Sequence, residues 1–276
     1  LNDDSKIGQS YSEIAGLDDV VIEIGITPNR QDCLGVFGIA RDLAASGLGK
    51  IKIRKISSQK GSFKSPIDIE TKDTDLCSIF AGRYFKGVKN VQSPDWLQQK
   101  LKSVGLRPIS ALVDITNFVM LDLNRPLHVY DADKIDSKII VRESKKGESF
   151  NALDEKSYDL KDGMCAIADE SKVLGLGGIM GGESSGCNES TENVLLESAL
   201  FNPINIAKSG RNLSIISDAR FRFERGVDPQ SVLIGIDRAT ELISEICGGE
   251  ISEVVIAGKI PEDNKSIDLN IERVQK

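Results

Sequence analysis

Histidine is almost missing from this 276-residue chain, which holds a single imidazole at His128. No cluster of histidines is therefore available to hold a catalytic metal, and no Ser/His/Asp arrangement stands out in the sequence, so neither a metal hydrolase nor a triad enzyme is expected. Cysteine is sparse and scattered. The five thiols, at positions 33, 77, 165, 187 and 247, are odd in number and include no C-x-x-C pair, which argues against a disulfide framework or a structural zinc and fits a reducing cytoplasm. No apolar run approaches the roughly 18 residues of a membrane span, and the opening LNDDSKIGQS lacks a basic region followed by an apolar one. Nothing here addresses the chain to a membrane or for export. An excess of positive charge is lacking too. The net charge of −7 weighs against a broad phosphate-tracking surface, so any contact with nucleic acid would use a small patch. A start without methionine and an end on IERVQK in mid-pattern lead us to expect a piece of something longer.

With 28% charged residues and plentiful aliphatics, the composition is that of a soluble globular protein, long enough for one large or two ordinary domains. VVIEIGI, residues 20 to 26, reads as a buried strand, turned by TPNRQD into a helix capped by Asp32 and closed by Gly47. KISSQKGSFKSP, residues 55 to 66, is polar and loop-rich, a candidate boundary. Ser93, Pro94 and Asp95 open a helix that runs to Gly105. A second helix follows, burying Leu112, Ile115 and Val119 and displaying Asp114, Thr116 and Asn117. From about 137 to 200 the period shortens: β-rich runs such as IIVRES, MCAIAD and NVLLESA alternate with turns such as KKGE and DESK. Helices return at Asn202-Pro203 and at Asp228-Pro229, the second stopped by Gly248 and Gly249, before a last strand, ISEVVIAGKI. These periods predict an α+β fold of mostly antiparallel sheets layered with helices.

The candidate chemistry concentrates in GLRPISALVDITNFVMLDLNRPLHVYD, residues 105 to 131, where Pro126 stiffens the backbone ahead of His128. An imidazole there titrates near neutrality and can donate or accept a hydrogen bond, and a structural histidine bonded to a backbone carbonyl is the ordinary alternative. The glycine run LGLGGIMGG, residues 174 to 182, fails the spacing of a dinucleotide loop because position 180 is Met180. Glycine in a strand instead marks close approach by a ligand or another strand. FRFERG, residues 221 to 226, resembles an arginine element of class II synthetase sites but lacks its partner motif, so its charges are expected to pair with each other at a helix end. Glu197 shares a face with Leu195 and Ala199 on an apolar strand, which makes it either an edge residue in water or an acceptor facing a pocket.

Taken in order, TPNRQDCLGVFGIARDLAA, SPDWLQQKLKSVGLRPIS, VDITNFVMLDLNRPLHVYD, GLGGIMGG, LLESALF and FRFERGVDP resemble the beta subunit of bacterial phenylalanyl-tRNA synthetase along nearly the whole chain. The resemblance implies the end of an amino-terminal region at residues 1–50, an editing domain at 66–258 and the start of a following domain at 262–276. It also implies an activity: hydrolysis of the ester of tyrosine mischarged onto tRNA(Phe). A pocket shaped for phenylalanine rejects an added hydroxyl by only about a hundredfold, whereas one built to bond that hydroxyl discriminates far better. In the family's pattern Glu197 accepts the phenol's hydrogen bond, Gly181 and Ala219 leave space for the ring, and Ser217 and Pro126 complete the substrate-binding set. His128, Arg107, Thr116 and Asn117 form the catalytic set around the scissile ester and terminal adenosine, with His128 orienting water or touching the adenosine. The implied partners are the 3′ end of tRNA(Phe), tyrosine or its ester, and an alpha subunit that carries the aminoacylation site. No metal or cofactor is implied for this segment, while ATP and magnesium would serve synthesis in the whole enzyme. A noncatalytic piece that positions tRNA and scaffolds the subunits is the alternative.

The sequence departs from the family's pattern in two motifs. RPLHVYD stands for the usual GQPLHAFD, placing Arg125 where glutamine is common, and SDARFRFERG stands for TDASHRFERG, placing Ser217, Arg220 and Phe221 at a threonine, a serine and a histidine.

Overall fold

The computed structural model describes residues 6–15, 18–262 and 266–275. Two helices come first, α1 (Tyr11–Ala15) and α2 (Val36–Ala45), followed by strands β1 (Asp68–Thr71) and β2 (Cys77–Lys86). Helices α3 (Asp95–Ser103) and α4 (Ala111–Leu123) lead into β3 (His128–Asp131) and β4 (Lys138–Glu143). Short strands β5 (Ser149–Asn151), β6 (Ser157–Asp159), β7 (Cys165–Ala168), β8 (Val173–Leu176) and β9 (Met180–Gly181) precede the long β10 (Asn193–Phe201). The chain continues through α5 (Pro203–Leu213), α6 (Asp218–Phe223), α7 (Ser231–Ile246), β11 (Glu250–Gly258) and α8 (Ile271–Val274).

One sheet has the order β11-β2-β10-β3 and is antiparallel throughout; a second, β1-β4-β7-β8-β9, is antiparallel except for the β1–β4 pair. The first sheet is covered on both faces, which explains why β2 and β10 read as nearly continuous apolar runs. Period-2 alternation sorts their side chains. Phe80, Tyr84, Tyr130, Leu195 and Ala199 turn toward Ile139, Val141, Ile167 and Leu174 of the second sheet. Ile79, Phe85, Val129, Val194 and Leu196 turn toward Leu97, Leu112, Ile115 and Ile236 of the helices. The site described below lies in the sheet-to-sheet layer.

Local chemistry explains most of the boundaries. Asn202 caps α5 by accepting from the Ile204 and Asn205 amides, with Pro203 at its first turn. Gly248 and Gly249, at φ +71 and +89, end the chain's run out of α7. The polar segment 55–66 has no regular element of its own but follows the edge of β11, with Ser62 N–H donating to Ile251 O at 2.9 Å and Glu253 N–H to Phe63 O at 2.8 Å.

Five expectations are corrected. Residues 20–26 form no strand: Val20 and Ile22 are 86% and 76% exposed, and the apolar run has no ladder partner among the described residues. Asp32 does not cap a helix, because its carboxylate is bound by Arg30 and Arg41 and α2 begins only at Val36, behind a 3₁₀ turn. Ser93 does not cap α3; its hydroxyl donates to Asp114, which is fully buried and also accepts the Ile109 amide at 2.9 Å. Asp114 is thus a tie for the 104–110 loop and not a displayed group. Asp228 begins a turn, accepting from the Gln230 amide, and α7 starts three residues after it. Replacing Asp114 by Ala strands a buried amide and a hydroxyl, and should lower unfolding stability by about 2 kcal/mol in urea titrations. An unshifted midpoint would show that the loop is held by other contacts.

Candidate functional site

A cavity of about 80 Å³ lies where β3, β10, the β8–β9 hairpin and α6 meet, room for one side chain or a few waters. Pro126, His128 and Tyr130 line it from β3 and the turn before it, Gly175 to Gly181 from the hairpin, Glu197 from β10, and Ala219 and Phe223 from α6. The structure therefore brings together Pro126, His128, Gly181, Glu197 and Ala219. Ser217 stands one bond away: it caps α6 through the Arg220 amide and its hydroxyl donates to Ile179 O at 2.7 Å, tying the helix to the hairpin. Arg107, Thr116 and Asn117 are not in this lining. Arg107 is exposed in the loop before α4, Thr116 donates to Val113 O within that helix, and Asn117 follows it on the same helix.

The glycine run makes this closeness possible. Gly175 pairs with Gly181 across the hairpin, and Gly178 turns it at φ +66. A Cβ on residue 181 would stand 2.5 Å from Cε1 and 2.9 Å from Nε2 of His128, closer than side-chain carbons approach, so the imidazole occupies the space that glycine leaves. Strand approaches strand here, and no capped helix follows as a nucleotide loop requires.

Glu197 is opposite Gly82 on one side and His128 on the other, in a central strand. Its side chain is buried, and Tyr130 Oη donates to its Oε2. Burial pushes the carboxyl up to about 7, against the lowering effect of the Tyr130 bond. Burial pushes His128 the other way, down to about 4, so the ring is neutral near pH 7. Among the described residues its Nε2 has no hydrogen-bond partner. A neutral imidazole of this kind is a weak general base at neutral pH and a competent hydrogen-bonding guide.

Three departures from the resembled pattern turn out to point away from the cavity. Arg125 is fully buried, donating to Ala199 O and Ser231 Oγ at 2.8 Å and to Asp228 O, which fastens the start of β3 to β10 and α7. Helical spacing sends Ala219 and Phe223 inward and turns their neighbours outward. Arg220 lies over Gly210 and pairs with Glu224 at 3.0 Å, and Phe221 is partly exposed beneath the Arg225 guanidinium at 3.6 Å. The FRFERG charges pair with one another and with the turn of α6, as their spacing predicts. The cavity residue that sequence reasoning passed over is Tyr130; its position two residues after His128 on a strand was the available signal.

Residues 76–248 match the B3/4 domain, and the chain belongs to that family. It is 53% identical over 273 residues to the phenylalanine-tRNA ligase beta subunit of Bradyrhizobium diazoefficiens and 52% identical to that of Rhodopseudomonas palustris, in each case over 99% of this chain and 34% of the relative. The chain thus spans about a third of the length of these relatives. It is also similar to the crystal structure of an N-terminal fragment of the phenylalanyl-tRNA synthetase beta subunit from Pyrococcus horikoshii, 17% identical, with a TM-score of 0.48 over 86% of this chain and 66% of that one.

The two buried titrating groups set opposite pH dependences. Glu197 binds its proton more tightly folded than unfolded, so the stability tied to it is full below its ordinary value of 4.5 and is lost as pH rises through about 7. His128 contributes above its ordinary 6.5 and loses that contribution as pH falls through about 4. Glu197→Gln should remove the alkaline loss, worth at most about 3 kcal/mol between pH 4.5 and 8. Urea unfolding across that range checks it; parallel curves for the two proteins would mean that Glu197 ionises as an ordinary carboxyl.

Proposed function

We propose that this chain is the editing segment of a phenylalanine-tRNA ligase beta subunit, hydrolysing the ester that joins tyrosine to tRNA(Phe) and working beside an alpha subunit that performs synthesis. The observation that supports this most directly is a buried carboxylate, Glu197, facing a side-chain-sized cavity whose other walls are Gly181, Ala219 and the free Nε2 of His128. A scaffold has no use for an acid that costs this much to bury.

In this reading the tyrosyl ring enters between the glycine hairpin and α6, and its phenol hydroxyl donates to Glu197. The ester then lies toward His128. Water adds to the ester carbonyl, the bond to the ribose oxygen breaks, and that oxygen takes up the proton as the terminal adenosine leaves. His128 orients the water or the ribose hydroxyl and does not need to carry the proton, consistent with an imidazole that stays neutral to about pH 4. Pro126 and Ser217 hold the turn and the helix that carry these groups. Arg107, Thr116 and Asn117 are assigned to the terminal adenosine, outside the ring pocket.

The test is deacylation of tyrosyl-tRNA and phenylalanyl-tRNA by the whole two-subunit enzyme containing this beta chain, alongside His128→Ala and Glu197→Ala. Glu197→Ala should raise KM for the tyrosyl ester or abolish its hydrolysis, and His128→Ala should lower kcat about a hundredfold, the usual scale of a lost positioning contact. Parental rates in Glu197→Ala would remove it as the phenol ligand. No hydrolysis by the parent would replace editing with the role of a tRNA-positioning scaffold.

A further inference from the structure

Tyr130 and Glu197 form a buried pair that hydrolysis itself does not use. Tyr130 leaves β3 on the same face as His128, and the two rings meet edge to face with centroids 4.4 Å apart. Its hydroxyl is the donor to Oε2 of Glu197, and among the described residues no other group donates to that carboxylate. The other titratable groups facing it are His128, Cys77 on β2 and Cys165 on β7, whose thiols burial keeps protonated. Among the described residues no cation stands beside the pair, so the Tyr130 phenol is the carboxylate's standing partner.

That arrangement bears on selectivity. A site rejects a ligand that lacks a hydroxyl mainly because its own buried acceptor is then left unpaired. Here the acceptor is paired before any ligand arrives. Building on the editing reading, we propose that Tyr130 is a specificity-determining residue that relaxes the pocket: by keeping Glu197 bonded, it lets the site accept esters of aromatic acids without a ring hydroxyl, phenylalanine included. A tyrosyl ring still gains by reaching the free Oε1, but the penalty against a bare ring is reduced.

The experiment compares the whole two-subunit enzyme with its Tyr130→Phe and Glu197→Ala variants on tyrosyl-tRNA and phenylalanyl-tRNA. Tyr130→Phe keeps the ring and removes the donor. It should raise the tyrosyl-to-phenylalanyl ratio of kcat/KM about tenfold, roughly the worth of one hydrogen bond, mostly through a higher KM for the phenylalanyl ester. A ratio that stays the same or falls overturns the proposal. If it does so while Glu197→Ala still loses the tyrosyl ester, the editing reading stands and only the role of Tyr130 is lost. If Glu197→Ala or the parent shows no dependence on that carboxylate, both fall. A ligand-free measurement decides the pairing independently: the Glu197 carboxyl, followed by isotope-edited infrared titration, should titrate at higher pH in Tyr130→Phe, and an unmoved midpoint overturns the proposal.

Discussion

The carboxylate of Glu197 sits on a strand covered on both faces, where an unpaired charge would cost several kcal/mol. The surrounding structure answers that cost in two ways. Tyr130 supplies a donor from the neighbouring strand, and burial moves the acid's titration up to about 7, so the group need not be fully ionised at neutral pH. Both depend on the register of β3 against β10, which sets Glu197 opposite His128 and Leu195 opposite Tyr130. A one-residue slip would turn Val129 and Leu196 into the cavity and the acid into the helical layer. The apolar packing of Val129, Val194 and Leu196 against Leu112, Ile115 and Ile236 of the helices specifies that register.

The hairpin that closes the cavity is under a related constraint. It must approach β3 closely enough to confine a single side chain, and Gly181 permits this by leaving the His128 ring the volume of a Cβ. Arg125 performs the complementary task behind the ring, holding the 124–126 turn to two backbone carbonyls and a serine hydroxyl. Gly235 leaves space for its stem, with a Cβ there only 2.6 Å from Arg125 Cγ. His128 is therefore positioned from both sides, by a glycine in the cavity wall and by a guanidinium outside it, which suits a residue acting through orientation and not through its basicity.

Periodicity made much of this legible in the sequence. The shift to short alternating runs after residue 137, the Asn202-Pro203 cap and the glycine stops all correspond to elements of the fold. What escaped has a common cause: the outcome depended on a partner distant in sequence. VVIEIGI has the composition of a strand but lacks a described neighbour to ladder with, and Asp32 and Asp114 look like surface or capping acids until Arg41, Ser93 and the Ile109 amide are brought to them. The two readings left open for Glu197 could be separated only by knowing that β10 is central, flanked by β2 and β3. Similarly, resemblance grouped nine residues as one site, while the fold draws five of them around the ring cavity and leaves Arg107, Thr116 and Asn117 by the α4 layer.

The departures from the family's motifs carry different weight once their directions are known. Arg125 and Arg220 are each absorbed by carbonyls and a carboxylate or hydroxyl away from the cavity, and Phe221 is capped by Arg225 at the surface. None of these changes what a ligand would meet. The tyrosine of HVYD differs from the usual phenylalanine by one oxygen, yet that oxygen reaches the single acid in the cavity. Substitutions that look drastic can leave a pocket's chemistry intact when the backbone turns them away from it. A single hydroxyl placed on a buried acceptor alters the energetic reference against which every ligand is judged.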